Sequence, residues 1–131
     1  MRNAVRAGFA YWAFIFGLGF VLGTVRTLWL EPYLGSAVRA VAIELPFMLA
    51  ASWFVAGRLV RRFGVERPAP GAAMGGIAFA LLLASEAGVG IGLMGESFSQ
   101  WLAGLFEGAG LLGLSGQIAF ALFPLMQARK R

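Results

Sequence analysis

Residues 72–94 read AAMGGIAFALLLASEAGVGIGLM, a run in which Glu86 is the only ionisable residue. A helix needs about 20 apolar residues to cross the hydrocarbon core of a bilayer, which is about 30 Å thick. The run is long enough, and it lacks the strict alternation of a membrane β-strand. Because lipid offers no hydrogen-bond partner to an open backbone, this run predicts a membrane-spanning helix.

Three other runs have the same character, so the whole chain, residues 1–131, is predicted to be one all-α membrane domain. A composition of 60% hydrophobic and 13% charged residues also lies outside the range of soluble domains. The predicted architecture is a four-transmembrane-helix bundle. Its helices are 8–30, 38–60, 72–94 and 105–126, and its connectors are 31–37, 61–71 and 95–104.

The basic residues predict how the bundle is oriented. They gather before the first helix, around the second connector and at the end of the chain, whereas the first and third connectors contain none. These clustered residues are Arg2, Arg6, Arg58, Arg61, Arg62, Arg67, Arg129, Lys130 and Arg131. By the positive-inside rule both termini and the second connector are cytoplasmic, an N-in/C-in topology. The first apolar run is too long for a signal core and lacks a clean cleavage site, so we expect a multi-pass protein of a bacterial inner membrane.

The residue types that are missing exclude several functions. The chain has no cysteine and no histidine, and no aspartate occurs in it. These absences remove thiolate metal sites, disulfides and most general bases. We therefore expect no enzyme, no catalytic residue, no cofactor and no metal site. The net charge of +5 does not indicate a nucleic-acid partner, because the basic residues form short clusters between apolar runs.

Polar residues at similar depths in the predicted helices mark the candidate site. At a rise of about 1.5 Å per residue, Glu86 lies roughly 4–5 Å from the bilayer centre, Glu44 roughly 7 Å and Arg26 roughly 10 Å, all in the outer half. Gln117 falls close to the midplane of the fourth helix. A charge at such depth costs about 2.5–3.5 kcal/mol on insertion scales, so these groups should face the bundle and find partners.

Two interpretations of this polar cluster remain open. Arg26 pairs naturally with Glu44, which leaves Glu86 without a cation unless Arg39 reaches it. A carboxyl in apolar surroundings favours its neutral form, which is the property that a proton-coupled carrier needs. The same arrangement also fits a purely structural role, in which Arg26–Glu44 joins two helices and neutral Glu86 hydrogen-bonds Gln117.

Small residues and prolines indicate where the helices meet. Small side chains allow close approach of helices in lipid, so glycine-rich faces predict contacts within the chain or between copies. Candidate faces are Gly19 with Gly23, Gly88 with Gly92, and Gly110, Gly113, Gln117, Ala121 and Pro124 on the fourth helix. Pro46 removes the helical partner of the Ala42 carbonyl and should kink the second helix. The favoured interpretation is a bend that improves packing; the alternative is that the freed carbonyl coordinates a cation or accepts a hydrogen bond from Arg26 or Arg39.

Residues 17–26 (GLGFVLGTVR) and 44–49 (ELPFML) resemble segments of short four-helix proteins of bacterial inner membranes whose activity is uncharacterised. This resemblance implies no activity. The architecture is also similar to that of small multidrug exporters and fluoride channels, which work as dimers. Those exporters carry an essential glutamate in their first helix, where this chain has Arg26 and no acid, so no residue role follows from the similarity.

Two functions remain as hypotheses. The first is an oligomeric ion- or proton-coupled transporter or channel, with ion-site candidates Glu44, Glu86, Arg26, Gln117 and Arg39. The second is a non-catalytic accessory subunit or assembly factor of a larger membrane complex, in which the polar cluster locks the fold and the glycine-rich faces bind a partner. In both, the partners are the lipid bilayer and either further copies of the chain or other membrane subunits.

Overall fold

The computed structural model describes residues 2–129, apart from the side chain of Arg129, and this part of the chain is all-helical with no β-strand. Lys130 and Arg131, which belong to the predicted cytoplasmic tail, lie outside the described residues. The described residues form five helices, and four of these are long and apolar enough to cross a membrane. The helices are α1 (Arg2–Leu34), α2 (Ala37–Phe63), α3 (Pro68–Leu93), α4 (Phe98–Gly104) and α5 (Gly108–Arg129). The predicted all-α class and the predicted number of long apolar helices are therefore confirmed.

The helix bounds differ from the predicted ones because hydropathy defines only the apolar part of a helix. The predicted helix 8–30 is the middle of Arg2–Leu34, and the predicted helix 105–126 begins only at Gly108. The end of α1 is set by Gly35, which adopts the left-handed conformation (φ 68°) that ends helices. The start of α2 is set by Ser36, whose side-chain oxygen accepts a hydrogen bond from the backbone N–H of Arg39.

The predicted second connector, 61–71, is in fact only residues 64–67. Pro68 is the first residue of α3. A proline is well tolerated in the first turn, because the N–H that it lacks has no intrahelical partner there. At the other side, Gly64 ends α2 in the left-handed conformation, with φ 65°.

The four long helices form a bundle in which α1 and α5 each pack against both α2 and α3. The core contains Tyr11, Val60 and Met74, which are fully buried. Tyr11 bridges from α1 to α5, where its ring stacks on Phe120 with the ring centroids 4.1 Å apart. The bundle is thus closed around an aromatic contact between two helices that share few other contacts.

The two ends of the bundle differ in charge. Arg2 lines the same hollow as Gly64 and Val65, so the start of α1 and the α2–α3 connector meet at one end, here called the basic end. At the opposite end, Gly108 approaches α2, and a β-carbon added to it would lie 3.7 Å from Val38. The described connectors of the opposite end contain no lysine or arginine.

Two helices change to π-helical geometry towards the opposite end: α1 over Arg26–Leu30 and α3 over Gly88–Leu93. In the first segment the N–H of Glu31 bonds to the carbonyl of Arg26, five residues earlier. Such single π-turns inside α-helices are frequent at functional sites. Here the first one begins at the arginine of the predicted polar cluster.

The connector between α3 and α5 contains the short helix α4. Its N-terminus is a capping box: the Ser97 side chain accepts from the N–H of Gln100, and the Gln100 side chain accepts from the N–H of Ser97. Glu96 and Trp101 pack against Gly90, where a β-carbon would lie 2.6 Å from a Glu96 carboxyl oxygen and 3.0 Å from the Trp101 ring. The glycine at position 90 therefore lets this connector fold down onto α3.

Close helix contact between α3 and α5 depends on two glycines that the sequence analysis did not single out, Gly71 and Gly75. A β-carbon on Gly75 would lie 1.9 Å from the carbonyl oxygen of Ala121, and one on Gly71 would lie 2.9 Å from that of Pro124. The prediction that Ala121 and Pro124 face a neighbouring helix is confirmed.

The glycines predicted to form helix contacts fall into two groups. Gly88, Gly92 and Gly113 have no atom within 4 Å of an added β-carbon, so the prediction is wrong for contacts within the described chain. Gly19 approaches Met48 of α2, and Gly110 approaches the backbone of Gly104. The physical reason is that several glycine faces have the right spacing, and spacing does not say which face turns inward.

Candidate functional site: two polar pairs between helices

Arg26 of α1 and Glu44 of α2 form the first polar pair. The guanidinium Nε donates to Glu44 Oε2 at 2.5 Å, and the two side chains are 26% and 14% exposed, respectively. The predicted pairing of these residues is therefore confirmed. A charge-assisted hydrogen bond of this kind is about twice as strong as a neutral one, and it fixes α1 against α2.

A third residue, Glu31, joins this pair and was missed by the sequence analysis. Its Oε2 lies 3.8 Å from a terminal nitrogen of Arg26, so one guanidinium contacts two carboxyl groups. The π-helical turn that bonds the backbone of residues 26 and 31 also brings their side chains together. Glu31 lines an open hollow of about 300 Å³ with Thr27 and Ser36, so the exterior reaches this carboxyl from the opposite end.

Glu86 of α3 and Gln117 of α5 form the second polar pair. The Gln117 side-chain amide donates to Glu86 Oε1, which confirms the contact expected from the sequence. Within residues 2–129 Glu86 takes part in no ion pair. The amide oxygen of Gln117 is buried and has no hydrogen-bond partner in the described part of the chain. This carboxyl thus has a neutral partner, in contrast to Glu44.

Arg39 lies outside both polar pairs. Its side chain is exposed and forms no ion pair with any described residue, so it does not reach Glu86. The alternative proposed for Pro46, a hydrogen bond from Arg26 or Arg39 to the Ala42 carbonyl, is also not formed between the described residues. The reason is that Arg26 is committed to its carboxylates and Ala42 lies on an exposed face of α2. No hydrogen bond or ion pair within residues 2–129 joins the two polar pairs.

Two further contacts hold α1 beside this site. Pro124 has no N–H, so the Phe120 carbonyl of α5 loses its helical donor, and the Tyr11 hydroxyl donates to that carbonyl at 2.7 Å. The Trp12 indole donates to the Ser85 hydroxyl at 2.8 Å, next to Glu86 in sequence. The rule already applied to Pro46, that a proline frees the carbonyl four residues earlier, was the signal that could have found Phe120.

The arrangement limits the chemistry that the site can perform. The described residues contain no group of three or more carboxylates that could hold a metal ion. The Ser85 hydroxyl donates to the Leu81 carbonyl, so it has no adjacent base to activate it. The polar groups that the structure brings together are thus one ion pair, Arg26 with Glu44, and one carboxyl, Glu86, with an amide partner.

Comparisons with known proteins give no family for this chain. No family model matches the sequence, and no curated protein and no solved structure is detectably similar to it. The resemblance to short four-helix inner-membrane proteins therefore stays a prediction, and functional inference rests on the polar pairs and the helix faces themselves.

Proposed function

We propose that this chain is a multi-pass protein of a bacterial inner membrane and acts there as an ion- or proton-coupled transporter or channel. The observation that carries the proposal is the Glu86–Gln117 pair. It places a carboxyl between two helices that are each long enough to span a bilayer, with an amide rather than a cation as its partner. An ionisable residue in such a helix is costly, so it is a functional candidate by default.

The orientation of the proposed membrane protein follows from its charged ends. The basic end carries the arginines of the start of α1 and of the α2–α3 connector, and by the positive-inside rule this end lies in the cytoplasm. Both termini are then cytoplasmic, and α4 with Trp101 lies at the outer interface, where aromatic side chains are favoured. Both polar pairs belong to the outer half.

The proposed roles follow from how each charge is compensated. Arg26 is the fixed positive charge, and Glu44 and Glu31 are its counter-ions. Glu86 is the titrating group, because its partner in the structure is neutral and can accept or donate a hydrogen bond in either protonation state. The hollow beside Glu31 supports access from outside to this counter-ion of Arg26.

A flux assay tests this proposal. Purified full-length protein in liposomes should move protons or another small ion above the level of empty liposomes, and Glu86→Gln should lower the flux to that level, a loss of tenfold or more. Glu66→Gln is the matched control, since Glu66 is exposed in the α2–α3 connector. No flux across a broad panel of ions, with both proteins folded, would contradict the transport function.

One observation favours the second candidate, an accessory subunit or assembly factor of a larger membrane complex. The face of α3 that turns away from the bundle consists of small residues at four-residue spacing. All of them are exposed: Ala72, Gly76, Ala80, Ala84 and Gly88. Faces of this kind let two helices approach closely in lipid, which supports an oligomer or a complex with other membrane subunits.

Cysteine cross-linking distinguishes the partners of this face, because the chain has no cysteine of its own. In native membranes Ala80→Cys should form an intermolecular cross-link that Phe54→Cys, at an exposed position of α2, does not form. A product of twice the monomer mass indicates a homo-oligomer, and a heavier heterogeneous product indicates another subunit. Equal or absent cross-linking at the two positions would contradict a partner at α3.

A further inference from the structure

We infer that the Glu86–Gln117 pair is a proton-binding site, in which the protonated carboxyl of Glu86 donates its O–H to the side-chain oxygen of Gln117. The two planar groups are then joined by two hydrogen bonds, one in each direction. This inference names the ion of the proposed transport function, and only its consequence for transport rests on that function.

The hydrogen-bond donors and acceptors of Glu86 and Gln117 indicate that the carboxyl is protonated. A carboxamide has an NH₂ group that donates and an oxygen that accepts, and an ionised carboxylate can only accept. The NH₂ group of Gln117 already donates to Glu86 Oε1. The oxygen of Gln117 is buried away from solvent and has no partner within the described residues. An ionised Glu86 leaves that oxygen unsatisfied, whereas a protonated Glu86 supplies the missing donor.

The groups around Glu86 supply no competing charge. α1 and α5 pack against α3, and α4 packs against its π-helical end. α1 contains Tyr11 and Arg26. The Tyr11 hydroxyl donates to the Phe120 carbonyl, and the Arg26 guanidinium forms ion pairs with Glu44 and Glu31. Neither α4 nor residues 108–127 of α5 contain an ionisable side chain. Beyond Glu86 itself, α3 has no ionisable residue, and the nearest acid in the connector is Glu96.

A metal ion fits this site poorly. Mg²⁺ and Ca²⁺ require about six to eight oxygen ligands, and the pair offers one carboxyl and one amide oxygen. The neighbouring Ser85 hydroxyl is already bonded to the Trp12 indole and the Leu81 carbonyl. A proton bound to Glu86 needs only one further acceptor, and the side-chain oxygen of Gln117 is available as that acceptor. On release the O–H bond of Glu86 breaks, the electron pair stays on the carboxylate and the proton passes to water.

Infrared spectroscopy of the purified full-length protein tests the inference without any flux. The C=O stretch of a protonated carboxyl is separate from the carboxylate and amide bands, and the chain has only six acidic residues, all glutamates. At neutral pH we expect a protonated-carboxyl band that Glu86→Gln removes and Glu66→Gln leaves unchanged. Gln117→Met should keep the band but shift it to higher frequency, because the hydrogen bond that the Glu86 carbonyl oxygen accepts from the amide and the one that its O–H donates are both lost.

Three outcomes would overturn the proton site. They are the absence of a band that depends on Glu86, a band that Gln117→Met does not shift, and loss of the band when sodium chloride replaces choline chloride. The last would show a sodium site instead. Helical content and elution volume confirm that each variant is folded. A Glu86 band without flux contradicts only the transport function, and flux without the band contradicts only the proton site.

Discussion

We expect Gly75→Ala to destabilise the bundle severely and Gly76→Ala, its neighbour in sequence, to raise stability by up to about 1 kcal/mol. A β-carbon at Gly75 would lie 1.9 Å from the Ala121 carbonyl oxygen, whereas one at Gly76 has no atom within 4 Å. The obstacle is backbone, which cannot rotate away, so α3 and α5 must separate. Overpacking of this kind costs about 1–3 kcal/mol and sometimes more.

Thermal unfolding in detergent, followed by circular dichroism, measures the difference. The control carries the same added methyl group on the next residue, so any effect on intrinsic helix propensity is shared by the two variants. Both replacements gain about 1 kcal/mol of helix propensity, which makes a loss at position 75 a contact effect. Equal stability of the two variants would show that α3 and α5 do not meet at Gly75.

Tyr11→Phe should cost about 1–3 kcal/mol, because it leaves the buried Phe120 carbonyl without a donor. The hydroxyl supplies to that carbonyl the donor that Pro124, which has no N–H, cannot supply. In a Pro124→Ala background the helix regains this N–H, and we expect Tyr11→Phe to cost much less there. The two positions should therefore show a coupling energy of about 1 kcal/mol or more in a double-mutant cycle.

The other tyrosine of the chain is the matched control for this cycle. Tyr33 is 87% exposed, so Tyr33→Phe removes the same atom at no structural contact and should change stability by less than about 0.5 kcal/mol. Unfolding free energies of the single and double variants provide the cycle. Additive effects of Tyr11→Phe and Pro124→Ala would contradict the compensation of the proline by the tyrosine.

Helical class, helix number and the two polar pairs were predictable because they follow from the cost of leaving a polar group unpaired in apolar surroundings. Arg26 had to find a carboxylate, and Glu86 without a cation had an amide at the same depth on α5. Such arguments require only composition and depth. They fail for Arg39, whose position near a helix end allows its side chain to remain exposed.

The missing parts of the prediction depend on helix rotation and local geometry. With 19 glycines in the chain, several helix faces have small residues at contact spacing, and only packing shows that Gly71 and Gly75 turn inward. The Arg26–Glu31 contact depends on a π-helical turn, which periodicity in an α-helix does not predict. The rule that a proline frees the carbonyl four residues earlier could have predicted that the Phe120 carbonyl needs a donor. It could not predict the donor itself, because Tyr11 lies 109 residues away in the sequence.

The packing order of the helices has a consequence for how the chain is made. Since α1 lies against α2 and α3, the first three long helices to leave the ribosome form an open row with α1 in the middle. α5 follows these three helices in the chain and contacts both outer members of that row. Until it emerges, Gly71 and Gly75 line an unfilled groove. The bundle is therefore completed only when α5 joins it, and a chain that stops before α5 leaves this groove exposed to other helices.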